Sequence, residues 1–441
     1  MATGQHKAQK AEAESIDARP TKEFFIDMLV KDIDLKDAVL DLVDNSVDGA
    51  RRLRGDGTFQ GLHVRLKISD RALTIDDNCG GIAADVAIKY AFRFGRIGSA
   101  HELDLIKSVG HVGVGMKRAF FKLGRKFEVA SRSERDSFDV VVPVDDWKAR
   151  EDDWEFPFKR LQRNEPLRAE ASRGTRIKVT ELRDGVAAMF GSARFITQLE
   201  NEIRSTHQAA MQRGLGISIN GIALTTEESR LLASDHLHPA FREVSANGVD
   251  VKIYVGIDAS APREAGWYVY CNGRMVLEAD RTAATGWDGT RVPNYHNQFA
   301  RFRGYVFFES DDPARLPWTT TKSDVDVDSP LYRGILQQMV NMMRPVIDFL
   351  NTLDKEKESG KTVLDGIVNE SRSMPLAVLP EREAFGFDAP RPSGPPMQRI
   401  SSYMRPRHQV EAAKRRLGAT SYRNVGELTF DYYYENECTE Q

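Results

Sequence analysis

A chain of 441 residues with a formal net charge of −3 has the balance of a soluble globular protein, and it exceeds what one ordinary core serves, so two or three domains are expected. No apolar run reaches membrane-spanning length, and the near-neutral charge gives no global pull toward nucleic acid, so any such binding needs a local patch. Cys79, Cys271 and Cys438 are odd in number and far apart, which argues against a disulfide framework or a cysteine zinc site and points to a reducing cytoplasm.

The opening residues MATGQHKAQKAEAES lack an apolar core, so residues 1–20 read as a flexible lead-in rather than a signal peptide or anchor. The run IDLKDAVLDLVDNSVDGARRL then has helical periodicity, with Leu35, Val39, Leu42 and Val43 recurring at spacings of three and four. On that helix Asp41, Asn45 and Asp48 share one face, with Asp44 beside them. Like charges so placed repel, so the face is either simply solvated or built for a cation or a donor-rich ligand.

Two strands are predicted next, from the alternation of Val64, Leu66 and Ile68 and of Leu73 and Ile75, joined at Ser69–Arg71. The second runs into Asp76, Asp77, Asn78, Cys79, Gly80 and Gly81. An acid followed by a Gly pair suits a ligand that approaches the backbone closely and offers an amino group, although ordinary strand-to-turn junctions look much the same. In SVGHVGVGMKRAFFKLGRKF, Gly110, Gly113 and Gly115 open a helix that stops at Gly124. Glycines ahead of a helix N-terminus favour an anion, and Lys117 in the first turn can reach it. SRGTRIKVTEL reads as a strand with Gly174 and Thr175 at its start.

From about residue 189 the pattern changes to a helix through FITQLENEIRSTHQAAMQ and then to strands in GISIN, VDVKIYVGID, GWYVYCNGRMVL and FRGYVFFES. His236 and His238 form an H-x-H without nearby acidic or cysteine ligands, so a loop is expected there rather than a metal site. YRGILQQMVNMMRPVIDFLNTLDKEKE is an amphipathic helix that becomes highly charged and could continue as a short coiled coil. APRPSGPPMQ is a linker by composition; QRISSYMRPRHQVEAAKRRLGATSY after it is basic with interspersed aromatics, and the end is acidic and aromatic, with Tyr432, Tyr433 and Tyr434 suited to anchoring a protein partner. No G-x-x-x-x-G-K-[ST] is present, which excludes a P-loop nucleotide site.

Four of these stretches, in this order, resemble the GHKL ATPases: gyrase, the ninety-kilodalton heat-shock chaperones, sensor histidine kinases and MutL-type proteins. The family pattern E-x-x-x-N, D-x-G-x-G, G-x-x-G-x-G and G-T is met by D-L-V-D-N from Asp41, D-N-C-G-G from Asp77, G-H-V-G-V-G from Gly110, and Gly174–Thr175. The resemblance implies an α+β fold: a Bergerat ATP-binding sandwich at 21–188, a transducer-like α/β domain at 189–350, a charged helix and linker at 351–398, and a C-terminal interaction module at 399–441. It implies ATP and Mg²⁺ as ligands, with Asn45 offering its side-chain oxygen to the metal, a hard cation that prefers oxygen. Asp77 would accept from the adenine amino group, Gly81 would admit the base, and Thr175 would support Asp77 through a hydroxyl or a water. Gly110, Gly113, Val114, Gly115, Met116 and Lys117 would hold the phosphates, and residues 83–109 would form a lid. Asp48 either accepts a hydrogen bond or caps and solvates the helix end. Asp41 would be the general base, and Lys322 in LPWTTTKSDVDVDS would be the transducer lysine that reaches the γ-phosphate.

Two departures stand out. Asp41 replaces the usual Glu, and a side chain one methylene shorter holds its water farther off, so slow turnover is expected; misplacement by about 1 Å costs about 100-fold. Cys79 replaces the first Gly of the second motif. No phosphoacceptor-histidine helix pair precedes the first helix, so protein kinase activity is not expected. Within the superfamily the chain looks closest to stand-alone bacterial MORC-like or chaperone-like proteins, a group associated with phage defence and DNA transactions. The expected behaviour is that of an ATP-gated clamp that homodimerises on ATP and engages a protein partner through its C-terminal segment; a DNA clamp and a non-hydrolysing nucleotide sensor are the alternatives.

Overall fold

The computed structural model describes residues 20–55, 57–94, 115–150, 153–319, 321–358, 362–388 and 404–438. The chain divides into two compact units, residues 1–389 and 390–441. The first unit holds two hydrophobic cores.

The first core is built by helices packed on one sheet. Helices α1 (Lys22–Lys31) and α2 (Leu35–Arg54) lead into the antiparallel pair β1 (His63–Ile68) and β2 (Ala72–Asp77), as the alternation predicts. A short helix α3 (Ala84–Val86) precedes α4 (Gly115–Leu123), and the chain passes directly from Leu123 into β3 (Gly124–Arg132). Then follow β4 (Ser137–Pro143), α5 (Val144–Ala149), β5 (Phe158–Gln162), β6 (Gly174–Leu182), α6 (Asp184–Phe190), α7 (Ala193–Thr206), α8 (Gln208–Gln212), β7 (Gly216–Ile219) and β8 (Ile222–Ala223). The strands order as β5-β4-β3-β6-β2-β1-β7-β8, antiparallel except for the parallel pair β1 and β7. Val39, Leu42 and Val43 of α2 bury against the same core as Phe120, Phe121 and Leu123 of α4 and the inward residues Val64, Leu66, Leu73 and Ile75. The acids of α2 lie off this apolar stripe, yet Asp41 and Asp44 are buried as well, so each must find a partner.

The second core lies under a sheet ordered β11-β12-β15-β13-β14. Its strands are β11 (Ala240–Ala246), β12 (Val249–Ile257), β13 (Gly266–Cys271), β14 (Arg274–Asp280) and β15 (Phe302–Glu309), preceded by the short β9 (Arg230–Ala233) and β10 (Leu237–His238). Asn272 and Gly273, both with positive φ, make the turn between β13 and β14. Helix α9 (Pro330–Glu358) covers the sheet: Met339, Val340, Met343, Val346 and Leu350 are buried in this core, so its apolar face is spent within the domain rather than on a coiled coil.

The sequence reading places a charged helix and linker at 351–398. In the structure α10 (Val363–Glu370) sends Leu364, Ile367 and Val368 into the second core, β16 (Arg372–Pro375) pairs with β9, and β17 (Gly386–Phe387) pairs with β10. Among the described residues the second unit holds a pair of helices, α11 (Arg407–Leu417) and α12 (Tyr422–Tyr433), continued by a π-helical turn at Tyr434–Cys438. No helix among the described residues is long and apolar enough to cross a membrane.

Candidate nucleotide site

Asp77 stands at the end of β2, where three donors converge on its carboxylate. Ser46 Oγ donates to Oδ2 at 2.7 Å, while the amides of Cys79 and Thr175 donate to Oδ1 at 2.9 and 3.1 Å. Burial raises the pKa of Asp77, opposed by these three bonds. Thr175 therefore supports Asp77 through its backbone amide; its hydroxyl pairs with Ser131 Oγ at 3.0 Å, and Ser131 Oγ also accepts from the amide of Ile82 at 2.8 Å. Ser46 and Ser131 were not singled out in the sequence. Ser46 sits inside the D-N-S run, but nothing in spacing says which serine faces a strand 31 positions away.

The glycines here are demanded by close backbone approach. A Cβ on Gly174 would lie 1.9 Å from the carbonyl oxygen of Asp77, and one on Gly81, at φ +71°, would lie 2.1 Å from that of Arg132. Gly81 thus serves the packing of its loop on β3. Cys79 lacks the positive φ of its neighbours Gly80 and Gly81, so a side chain is tolerated there; Gly49 on α2 admits its backbone, since a Cβ on Gly49 would lie 2.5 Å from the Cys79 carbonyl oxygen.

Along α2 the polar face is engaged residue by residue. Asn45 Nδ2 donates to the carbonyl of Asp41 at 2.8 Å, so its side-chain oxygen is not used in that bond. An amide oxygen is the donor type that a hard cation takes, so Asn45 is the residue that would hold Mg²⁺ here. Asp41 is gripped by Arg118 of α4, whose Nε and Nη2 both reach Oδ2 at 2.9 Å. Asp44 receives Arg274 Nη1 on Oδ1 and Lys322 Nζ on Oδ2, the latter at 2.9 Å. Burial pushes Asp44 up, but Arg274 and Lys322 outweigh it and hold its carboxyl well below the usual carboxylate range. Lys322 and Arg274 are in turn pushed up by that carboxylate against the opposing effect of burial.

Asp48 lines the same cleft, and burial raises its pKa to about 6. His207, after α7, is buried there with Nε2 unpaired, 3.8 Å from Asp44, and burial lowers its pKa to about 4. Arg51 of α2 adds an ion pair to Glu309 at 3.0 Å, so α2 is fastened to the sheet of the second core at two points, β14 through Arg274 and β15 through Glu309. The sequence reading brought Lys322 to this site but left Arg274 inside the strand run GWYVYCNGRMVL and passed over His207 and Arg118. The N-G-R run could have drawn notice to Arg274; the other two carried no signal.

Lys117 is placed differently from the sequence expectation. It is buried, its Nζ donates to the carbonyl of Ala91 at 3.0 Å and stands 5.9 Å from the ring centroid of Phe94, and burial lowers its pKa to about 7. Here it ties α4 to Ala91 and Phe94 rather than standing free for a phosphate. Gly115 and Met116 begin α4, and a Cβ on Gly115 would lie 3.3 Å from the Asp41 carboxyl carbon. Gly110, Gly113 and Val114 lie outside the described residues, as does the expected lid beyond residue 94.

The sequence family described as histidine kinase-, DNA gyrase B-, and HSP90-like ATPase matches residues 33–173, from the N-cap region of α2 to the residue before β6. No curated protein matches the chain.

Proposed function

We propose that the chain is a slow Mg²⁺-dependent ATPase whose second core senses the γ-phosphate, a reading supported by the match of residues 33–173 to the histidine kinase-, DNA gyrase B-, and HSP90-like ATPase family. Asp77 accepts from the adenine amino group, held in place by Ser46, Cys79 and Thr175. Asn45 presents its oxygen to Mg²⁺, which supplies charge neutralisation at the phosphates. Water attacks the γ-phosphorus, the bond to the β–γ bridging oxygen breaks, the water proton passes to Asp41, and ADP and inorganic phosphate leave.

The observation that carries the coupling is Lys322 on Asp44. A lysine 278 positions along the chain reaches the acidic helix only through tertiary packing. Asp44 lies one helical turn from Asp41, so Lys322 exchanges a carboxylate for a phosphate with a small displacement. A ligand that changes the partner of an interdomain cation shifts the equilibrium between domain arrangements. This supports an ATP-gated clamp that dimerises with ATP. The C-terminal unit, with Tyr422, Phe430, Tyr432, Tyr433 and Tyr434 exposed, is the candidate anchor for a protein partner, and its basic α11 is the candidate DNA contact.

The test is Mg²⁺-dependent ATP turnover together with oligomeric state in the presence of a non-hydrolysable analogue. Turnover with analogue-induced dimerisation is expected. Tight ATP binding without turnover would make the chain a sensor, and loss of both would remove the reading.

A further inference from the structure

Asp41 is confined by a single helix from two directions. The backbone of α4 closes on it at Gly115, and Arg118, one turn on, grips it. Both guanidinium nitrogens converge on the same oxygen, Oδ2, so Oδ1 is the oxygen that Arg118 does not hold. The pair is well shielded, with side-chain exposure of 13% for Arg118 and 4% for Asp41, and a charge-assisted bond so placed fixes a side-chain rotamer instead of merely decorating a surface. A carboxylate on a short stem has little reach of its own, and general-base catalysis depends on a water held to within a fraction of an ångström.

We propose that Arg118 is a positioning residue for ATP hydrolysis: it holds Asp41 Oδ2 so that Oδ1 is presented to the attacking water. This rests on the reading of Asp41 as the base. Arg118 compensates for the missing methylene by anchoring the carboxylate from the side away from the water. Because Gly115 and Arg118 both belong to α4, the position of that one helix sets the geometry of the base. The guanidinium takes no proton and touches no reacting atom in this role; the proton still passes from water to Asp41 as the bond to the bridging oxygen breaks.

The test uses the full chain with Arg118→Ala, Arg118→Lys, Asp41→Asn and the double variant Arg118→Ala/Asp41→Asn, reading kcat and, separately, the Kd of a non-hydrolysable ATP analogue. Arg118→Ala is expected to lose at least about 10-fold in kcat with the analogue Kd within about 2-fold. Arg118→Lys should recover part of the loss, because an ammonium restores one donor but not the two-pronged grip. The double variant should turn over no more slowly than Asp41→Asn alone, since an absent base cannot be misaligned. A rise in Kd matching the fall in kcat would make Arg118 a phosphate ligand, and a parent or faster rate in Arg118→Ala would make it a restraint; either overturns the proposal. Should Arg118→Ala fail to fold, the kcat of Arg118→Lys decides: a parent rate overturns the proposal and a partial loss at unchanged Kd upholds it. An Asp41→Asn variant with the parent rate would instead sink the assignment of the base itself.

Discussion

Asp77 and Asp44 are both drawn out of bulk water by the same domain, yet they are satisfied in opposite ways. Asp77 takes a hydroxyl and two amides, all from residues around the first core and all neutral. Asp44 takes an Arg and a Lys, both from the second domain. The first arrangement is complete once one domain has folded, and it leaves a raised pKa and a carboxylate ready to accept from a neutral amino group. The second is complete only when two domains meet, and it is made of charges, which respond strongly to another charge arriving nearby. Helix α2 joins the two arrangements, the pocket at Asp77 and the lock at Asp44, because it carries both Asp44 and the Ser46 whose hydroxyl donates to Asp77.

Breaking the lock should have the largest effect. Arg274→Ala leaves Asp44 buried with one cation fewer, and uncoupling a buried pair costs about 3–5 kcal/mol. Chemical denaturation should show this loss, and with it separation of the two domains' transitions. Disturbing the pocket comes next. Gly174→Ala forces a Cβ against the Asp77 carbonyl, which should destabilise by about 1–3 kcal/mol and weaken ATP binding while the two domains still unfold together.

The smallest effect should sharpen the comparison through pH. Asp48 is raised by burial from 3.8 to about 6, so its contribution to stability is full below about pH 4 and is lost as pH rises through about 6. His207 is lowered by burial from 6.5 to about 4, so its contribution is lost as pH falls through that window. The two oppose each other between about pH 4 and 6. Asp48→Asn should therefore match the parent near pH 4 and exceed it by about 1–2 kcal/mol at pH 7, in denaturant midpoints taken across the range.

The pocket was the more legible half. Asp77, Gly81, Gly174 and Thr175 lie in local runs whose alternation and glycines mark a strand end, and the strands fall where periodicity puts them. Which group of Thr175 does the supporting was not legible, because a backbone amide leaves no mark on residue identity. The lock was half legible: Lys322 came from its run, whereas Arg274 and His207 reach Asp44 across 230 and 163 positions, and no period spans such distances. Lys117 shows the limit from the other side. Its place after the glycines predicts a phosphate contact, but Phe94 and the Ala91 carbonyl offer a buried berth that sequence cannot reveal. The segment 362–388 looked like linker and is core, since its apolar residues are too few to announce a domain but enough to finish one.

The account turns on Lys322 trading Asp44 for the γ-phosphate, and the rate of ATP hydrolysis by Lys322→Ala tests that most directly. A cation that meets the phosphate only in the closed arrangement acts on the transition state, so the variant should hydrolyse ATP at least about 10-fold more slowly than the parent at saturating nucleotide, a loss of about 1.4 kcal/mol. Hydrolysis at the parent rate would show that Lys322 only neutralises Asp44 and that the second domain takes no part in turnover.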